Sequence, residues 1–209
     1  YTFPTVGKIS SDLDSDGGVT EYTYDATGNM LTVKDTLGNI TTNTYDRFDR
    51  LLTSTNARGG VTSYTDTVLG NRLRVTGPLG NVIEYTYDIY GNKLTEKDPN
   101  GNVTEYTYDK KNNLLTVKDD LENVTTNIYD EKNRLIETRY PDNSNTVYNY
   151  DAADRLLKVT DALGNTVSYT YDPNGNVLTV IDGKGIVQTT NVYDNFNRVD
   201  STTTASGAL

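Results

Sequence analysis

The sequence predicts an all-β protein, a run of tandem antiparallel β-hairpins forming a curved or spiralling strip. Three observations predict it. The dipeptide Tyr-Asp returns at Tyr24-Asp25, Tyr45-Asp46, Tyr87-Asp88, Tyr108-Asp109, Tyr129-Asp130, Tyr150-Asp151, Tyr171-Asp172 and Tyr193-Asp194, at spacings of 21, 42, 21, 21, 21, 21 and 22 residues. Each period holds two turn signals of the form Asp-x-x-Gly/Asn followed by a polar residue, as in Asp25-Ala-Thr-Gly28-Asn29 and Asp35-Thr-Leu-Gly38-Asn39. Between the turns lie runs of six or seven residues rich in Thr, Val, Leu and Tyr, with no helical period.

Residues 1–13 form a lead-in before the first repeat. Nine repeats then run head to tail over residues 14–200, and residues 201–209 form a tail. The 42-residue gap is two periods, because Asp66-Thr67 occupies the slot where a Tyr-Asp belongs; that repeat is degenerate. The final spacing of 22 marks one inserted residue between Asp182 and Tyr193. The turns have a specific chemistry. An Asp at the first position accepts backbone N–H bonds, and Gly or Asn at the fourth adopts the positive φ that a type I turn with a G1 bulge requires.

Alternation then assigns faces. In Val103–Tyr108, Thr104, Tyr106 and Tyr108 point one way and Val103, Glu105 and Thr107 the other; in the partner strand, Leu115 and Val117 share a face opposite Leu114, Thr116 and Lys118. Tyr22, Tyr64, Tyr85, Tyr106, Tyr148 and Tyr169 recur beside the Tyr-Asp tyrosines and build ladders on one face. Nine repeats of two strands at about 4.8 Å each make a strip roughly 85 Å long. Open twisted sheets rarely exceed about 10 strands without curling, so the strip should curve.

Composition removes whole classes of chemistry. Only 47 of 209 residues are Leu, Ile, Val or Phe, and 17 of the 20 aromatics are Tyr, which fits a thin, half-solvated layer better than a thick core. With no His and no Cys, a Ser-His-Asp triad, a thiolate nucleophile, a disulfide framework and an ordinary zinc site are all excluded. A formal charge of −10 opposes phosphate backbones and anionic lipid surfaces, so neither nucleic-acid binding nor direct membrane insertion is expected. No apolar run approaches the length of a membrane span. The chain starts without Met and ends at Ser206-Gly-Ala-Leu209 with no closing element, which reads as a piece of a longer protein or a processed product.

The tandem Tyr-Asp repeats with their Asp-x-x-Gly-Asn turns resemble the RHS/YD-repeat family over at least residues 14–200. The resemblance implies hairpins joined edge to edge into a strip that winds into a hollow shell. Such shells occur in Rhs polymorphic toxins and Tc toxin complexes and typically enclose a C-terminal toxic domain; teneurin-like barrels of animal surface proteins are related. The family's closing segment with its aspartate pair, and the variable toxin after it, are absent from these residues, so no catalytic residue is carried over.

Two acidic patterns need separate treatment. Asp12, Asp14 and Asp16 with Gly17 match the first half of a calcium loop, but the twelfth position is Thr23, not Glu, and Asp14-Ser-Asp-Gly17 fits the repeat's own turn register. The turn reading is preferred, with calcium the one candidate cation and no cofactor expected. The other Asp residues sit at periodic turn positions that capping explains, so an enzyme is not expected. The expected role is a structural segment in the wall of an exported, toxin-encapsulating shell, at the cell surface or outside the cell. The alternative is an extracellular filament or adhesive surface built by edge-to-edge strand pairing. Expected partners are further copies or the rest of a larger repeat protein, with a cargo domain or surface carbohydrate as the ligand.

Overall fold

The computed structural model describes residues 10–205. Residues 1–9 of the lead-in and 206–209 of the tail lie outside the described residues. What is described contains nineteen β-strands and no helix. Contacts divide the chain into two units, residues 1–104 and 105–209.

In the first unit the strands are β1 (Ser11–Leu13), β2 (Val19–Tyr24), β3 (Met30–Lys34), β4 (Ile40–Tyr45), β5 (Leu51–Thr55), β6 (Val61–Asp66), β7 (Arg72–Thr76), β8 (Val82–Tyr87) and β9 (Lys93–Lys97). Each pairs antiparallel with the next. The unit boundary falls inside β10 (Val103–Tyr108). From there the second unit continues with β11 (Leu114–Lys118), β12 (Val124–Tyr129), β13 (Leu135–Arg139), β14 (Asn145–Tyr150), β15 (Leu156–Thr160), β16 (Thr166–Tyr171), β17 (Val177–Asp182), β18 (Val187–Tyr193) and β19 (Val199–Thr204), again paired in chain order. The pairing is entirely local because every connection is a five-residue turn or shorter.

The turns have the expected geometry. In Asp25–Asn29 the Gly28 N–H donates to the Asp25 carbonyl at 3.1 Å, the Asp25 N–H donates to the Asn29 carbonyl at 2.9 Å, and Gly28 has φ 95°. The same two bonds and a positive φ at the fourth residue recur in every connection between strands. The fourth position is more permissive than Gly or Asn: Asp49, Asp154 and Glu122 also hold it, Glu122 at φ 65°.

The sequence reading of faces needs one correction. At the Tyr-Asp end of each hairpin the register slips by one residue, so Tyr106 faces Val117 but Tyr108 faces Leu114. Leu114 therefore shares the tyrosine face, and Leu115 is the extra residue of a β-bulge. Simple alternation fails here because a bulge sets two residues of one strand against one of its partner. The bulge recurs beside Tyr24, Tyr45, Asp66, Tyr87, Tyr129, Tyr150, Tyr171 and Tyr193. The inserted residue of the last repeat is absorbed by a second bulge, between Val180 and Ile181 in the β17–β18 pairing.

Among the described residues no apolar side chain is fully buried; the buried side chains are polar, Asn43, Thr138 and Thr146. The sheet is one layer with both faces wet. Its faces differ nonetheless. The tyrosine face is half-buried by its own ladders. The opposite face carries hydroxyl pairs such as Thr23–Thr32, Thr44–Thr53 and Thr107–Thr116, each at 2.6 Å, and ion pairs such as Lys34–Glu21 at 2.8 Å.

Candidate functional site

The residues that the repeat returns most faithfully, Tyr and Asp, meet at the seam between successive hairpins. Asp comes first, because it builds the turn. Asp109 Oδ1 accepts the N–H groups of Lys111 at 2.8 Å and Asn113 at 2.9 Å, while Oδ2 accepts the Asn113 side-chain amide at 2.9 Å. A carboxylate that accepts several N–H bonds is stabilised in its charged form, so the side-chain amide of Asn113, followed by its backbone N–H, holds Asp109 below the usual range. The same cause lowers Asp25 to about 2, with Asn29 the main donor. These carboxylates are spent on turn geometry.

Where the fifth turn residue is Arg instead of Asn, the turn also reaches its neighbour. Arg134 donates from Nε to Asp130 Oδ2 at 2.7 Å and from Nη1 to the carbonyl of Asp151, which opens the next turn on that edge, at 3.3 Å. Its guanidinium lies 4.9 Å from the centroid of the Tyr150 ring. Arg155 repeats the arrangement with Asp151, the Asp172 carbonyl and the Tyr171 ring.

Tyr closes the seam. Strand β13 pairs with β14 only over Glu137, Thr138 and Arg139, so Leu135 lies beyond the ladder on that side. A carbonyl left there would cost about 1 to 3 kcal/mol if unsatisfied. The Tyr150 hydroxyl donates to the Leu135 carbonyl at 2.9 Å. Equivalent bonds tie Tyr45 to Met30, Tyr129 to Leu114, Tyr171 to Leu156 and Tyr193 to Val177. Burial pushes the Tyr129, Tyr150 and Tyr171 phenols above their ordinary value, which keeps them protonated donors. In three repeats the residue two before the Tyr is Asn, and Asn43, Asn127 and Asn191 donate to the same carbonyls as Tyr45, Tyr129 and Tyr193. Sequence reasoning missed these asparagines; their signal was Asn replacing Tyr at one fixed repeat position.

The degenerate repeat shows what stands in the place of the seam tyrosine. Asp66 stands in the Tyr slot, faces Arg72 across the bulge, and forms a 2.5 Å ion pair with it, the Asp66 side chain being 7% exposed. Arg72 also lies 4.3 Å from the centroid of the Tyr64 ring.

The calcium candidates separate. Asp12 lies in β1, Asp14 opens a turn whose Asp16 and Gly18 N–H groups donate to Asp14 Oδ1 at 3.0 and 2.6 Å, and Asp16 is at that turn's tip. No cluster of three His, Cys, Asp or Glu side chains able to hold a metal occurs among the described residues. An open cleft of about 540 Å³ lies beside the Asn127 seam, lined by Asp109, Lys111, Leu115, Asn127 and Tyr129 among others. Its two carboxylates, Asp109 and Asp130, are both engaged in turns.

No curated protein matches the chain by sequence. Crystal structures of TcdB2-TccC3 are similar in fold: the complex with Cdc42 at a TM-score of 0.65 and 20% identity over 87% of this chain, and TcdB2-TccC3 alone at 0.62 and 20% over 90%. The chain spans 12% of the length of each of those chains. The sequence profile described as RHS Repeat matches residues 5–42, 90–124, 129–166 and 150–187. With the profile covering more than half of its length and the Tyr-Asp seam repeated along the sheet, the chain belongs to the RHS repeat family.

Proposed function

We propose that this chain is a structural wall segment of an exported RHS-type shell, with no catalytic role of its own. The observation that carries the reading is the seam. The side chains the repeat returns most regularly bind turn backbone or a neighbouring hairpin's carbonyl, so the repeat invests its polar chemistry in extending a sheet one strand thick. Among the described residues no apolar side chain is buried, so stability rests on contacts between neighbouring hairpins, as in other repeat proteins. Membership of the RHS repeat family and the fold shared with TcdB2-TccC3 support the same role. Encapsulation of a cargo and export from the cell are part of this proposal. Electron microscopy of the purified chain tests it. Discrete wall segments of constant size are expected.

A second reading rests on β19, whose six residues are all exposed and which pairs only with β18 among the described strands. An open strand edge offers unpaired N–H and C=O groups to another chain. Filaments that lengthen with protein concentration would favour this reading over the wall.

A further inference from the structure

The turn tips at the Tyr-Asp edge differ along the chain. In the first unit three successive tips are apolar: Phe48 is 58% exposed, Val68 94%, Leu69 81%, Ile89 83% and Tyr90 76%. The corresponding positions of the second unit hold Lys110-Lys111, Glu131-Lys132, Ala152-Ala153, Pro173-Asn174 and Asn195-Phe196, so that Phe196, 78% exposed, is a lone apolar tip there and not part of a row. Turns along one edge are two strands apart, roughly 10 Å, so the three apolar tips form one row. None of these side chains is needed by its turn, which is held by the first, fourth and fifth residues. Single exposed apolar residues call for no explanation, but a contiguous group of five large ones does.

We propose that this row is a site for adsorption to a zwitterionic phospholipid surface. Shape is the first argument for lipid. The side chains stand on separate projecting turns, not around a groove, and projecting apolar knobs suit a deformable medium. Charge is the second. The chain carries −10 overall, yet the carboxylates nearest these tips are engaged in hydrogen bonds within or between turns. Asp46 accepts the Phe48 and Arg50 N–H groups, Asp88 those of Tyr90 and Asn92, and Asp49 accepts bonds from Thr27 and Asn29. The exposed charge on the tips themselves is cationic: Arg47 lies 4.6 Å from the centroid of the Phe48 ring and forms no ion pair among the described residues. It is placed to meet a headgroup phosphate while the aromatic and aliphatic tips enter the interfacial region, where rings such as those of Phe48 and Tyr90 are favoured. The net charge disfavours anionic membranes, which is why the proposal is confined to zwitterionic lipid. Contact is through turn tips, and no membrane-spanning segment is involved.

The test is co-sedimentation of the full chain with phosphatidylcholine vesicles over a lipid titration. The triple variant Phe48→Ser, Leu69→Ser, Ile89→Ser should lower the partition coefficient by at least about tenfold, since binding scales with the apolar area inserted. Leu79→Ser, at a 96% exposed tip on the opposite edge, should leave it unchanged. If the triple variant loses its β signal in circular dichroism, Ile89→Ser alone should still weaken binding. A chain that stays in the supernatant at saturating lipid overturns the proposal, as does equal binding by the variants. So does a dimer in light scattering that depends on the same tips without vesicle binding, which would assign the row to a second copy of the chain.

Discussion

Removing the hydroxyl of Tyr150 isolates the seam bond from the ring that carries it. In Tyr150→Phe the ring, its place in the ladder and its contact with the Arg134 guanidinium at 4.9 Å are retained, and only the donor to the Leu135 carbonyl is lost. That carbonyl lies outside the β13–β14 register, and among the described residues no second side chain donates to it as Asn127 does to the carbonyl of Leu114. The expected cost is about 1 to 3 kcal/mol, the range for an acceptor left without its partner. Tyr129→Phe is the internal control. It removes the same bond, but the Asn127 amide still donates to the Leu114 carbonyl at 3.1 Å. Its cost should fall to about 0.5 to 1.5 kcal/mol, the net worth of one replaceable hydrogen bond. Urea titrations followed by circular dichroism measure both, with the m-value checked for constancy because repeat arrays can lose two-state behaviour. Equal losses in the two variants, or a neutral Tyr150→Phe, would refute the claim that this hydroxyl satisfies an otherwise stranded carbonyl.

Three further outcomes follow from the same geometry. Glu122 holds φ 65° and has only surface ion pairing with Lys118 at 3.2 Å in return, so Glu122→Gly should raise stability by about 0.5 to 1 kcal/mol in urea titration. In the degenerate repeat, Asp66→Ala strands Arg72 and should destabilise by about 1 to 3 kcal/mol, whereas Asp66→Tyr with Arg72→Leu restores the common pattern and should match or exceed the parent; a stabilising single Asp66→Ala would contradict this. The turn carboxylates, Asp25, Asp109 and Asp130 among them, have folded pKa values below the unfolded one. Their contribution is complete above the unfolded value near 4 and is lost as pH falls through the folded values, about 2 for Asp25. With no His in the chain, the urea midpoint should stay level from about pH 5 to 8 and fall steeply below about pH 4; a midpoint that rises on acidification would reverse the assignment.

The sequence by itself determined the elements. Turn chemistry is local: Asp109, Asn112 and Asn113 state within five residues both the cap and the positive φ, so the all-β class and the connections of this form were legible from the sequence, while the turns opened by Asn56, Thr67, Gly77 and Tyr140 follow from the period and not from their own residues. The thin layer was legible too, because so few large aliphatic residues cannot fill a second one. The tertiary structure decided what the spacing concealed. A period-2 reading placed Leu114 away from the tyrosine face, and only pairing across the hairpin revealed the bulge that brings it opposite Tyr108. The role of the tyrosine hydroxyl was hidden for the same reason. Its acceptor lies 15 residues back in the preceding hairpin, as Leu135 does for Tyr150, and it becomes an acceptor only because neighbouring hairpins part beyond their three-residue ladder. Such a bond depends on where two strands stop pairing, and that is set by the bulge and the neighbouring turn, not by the residues on either side of the Tyr.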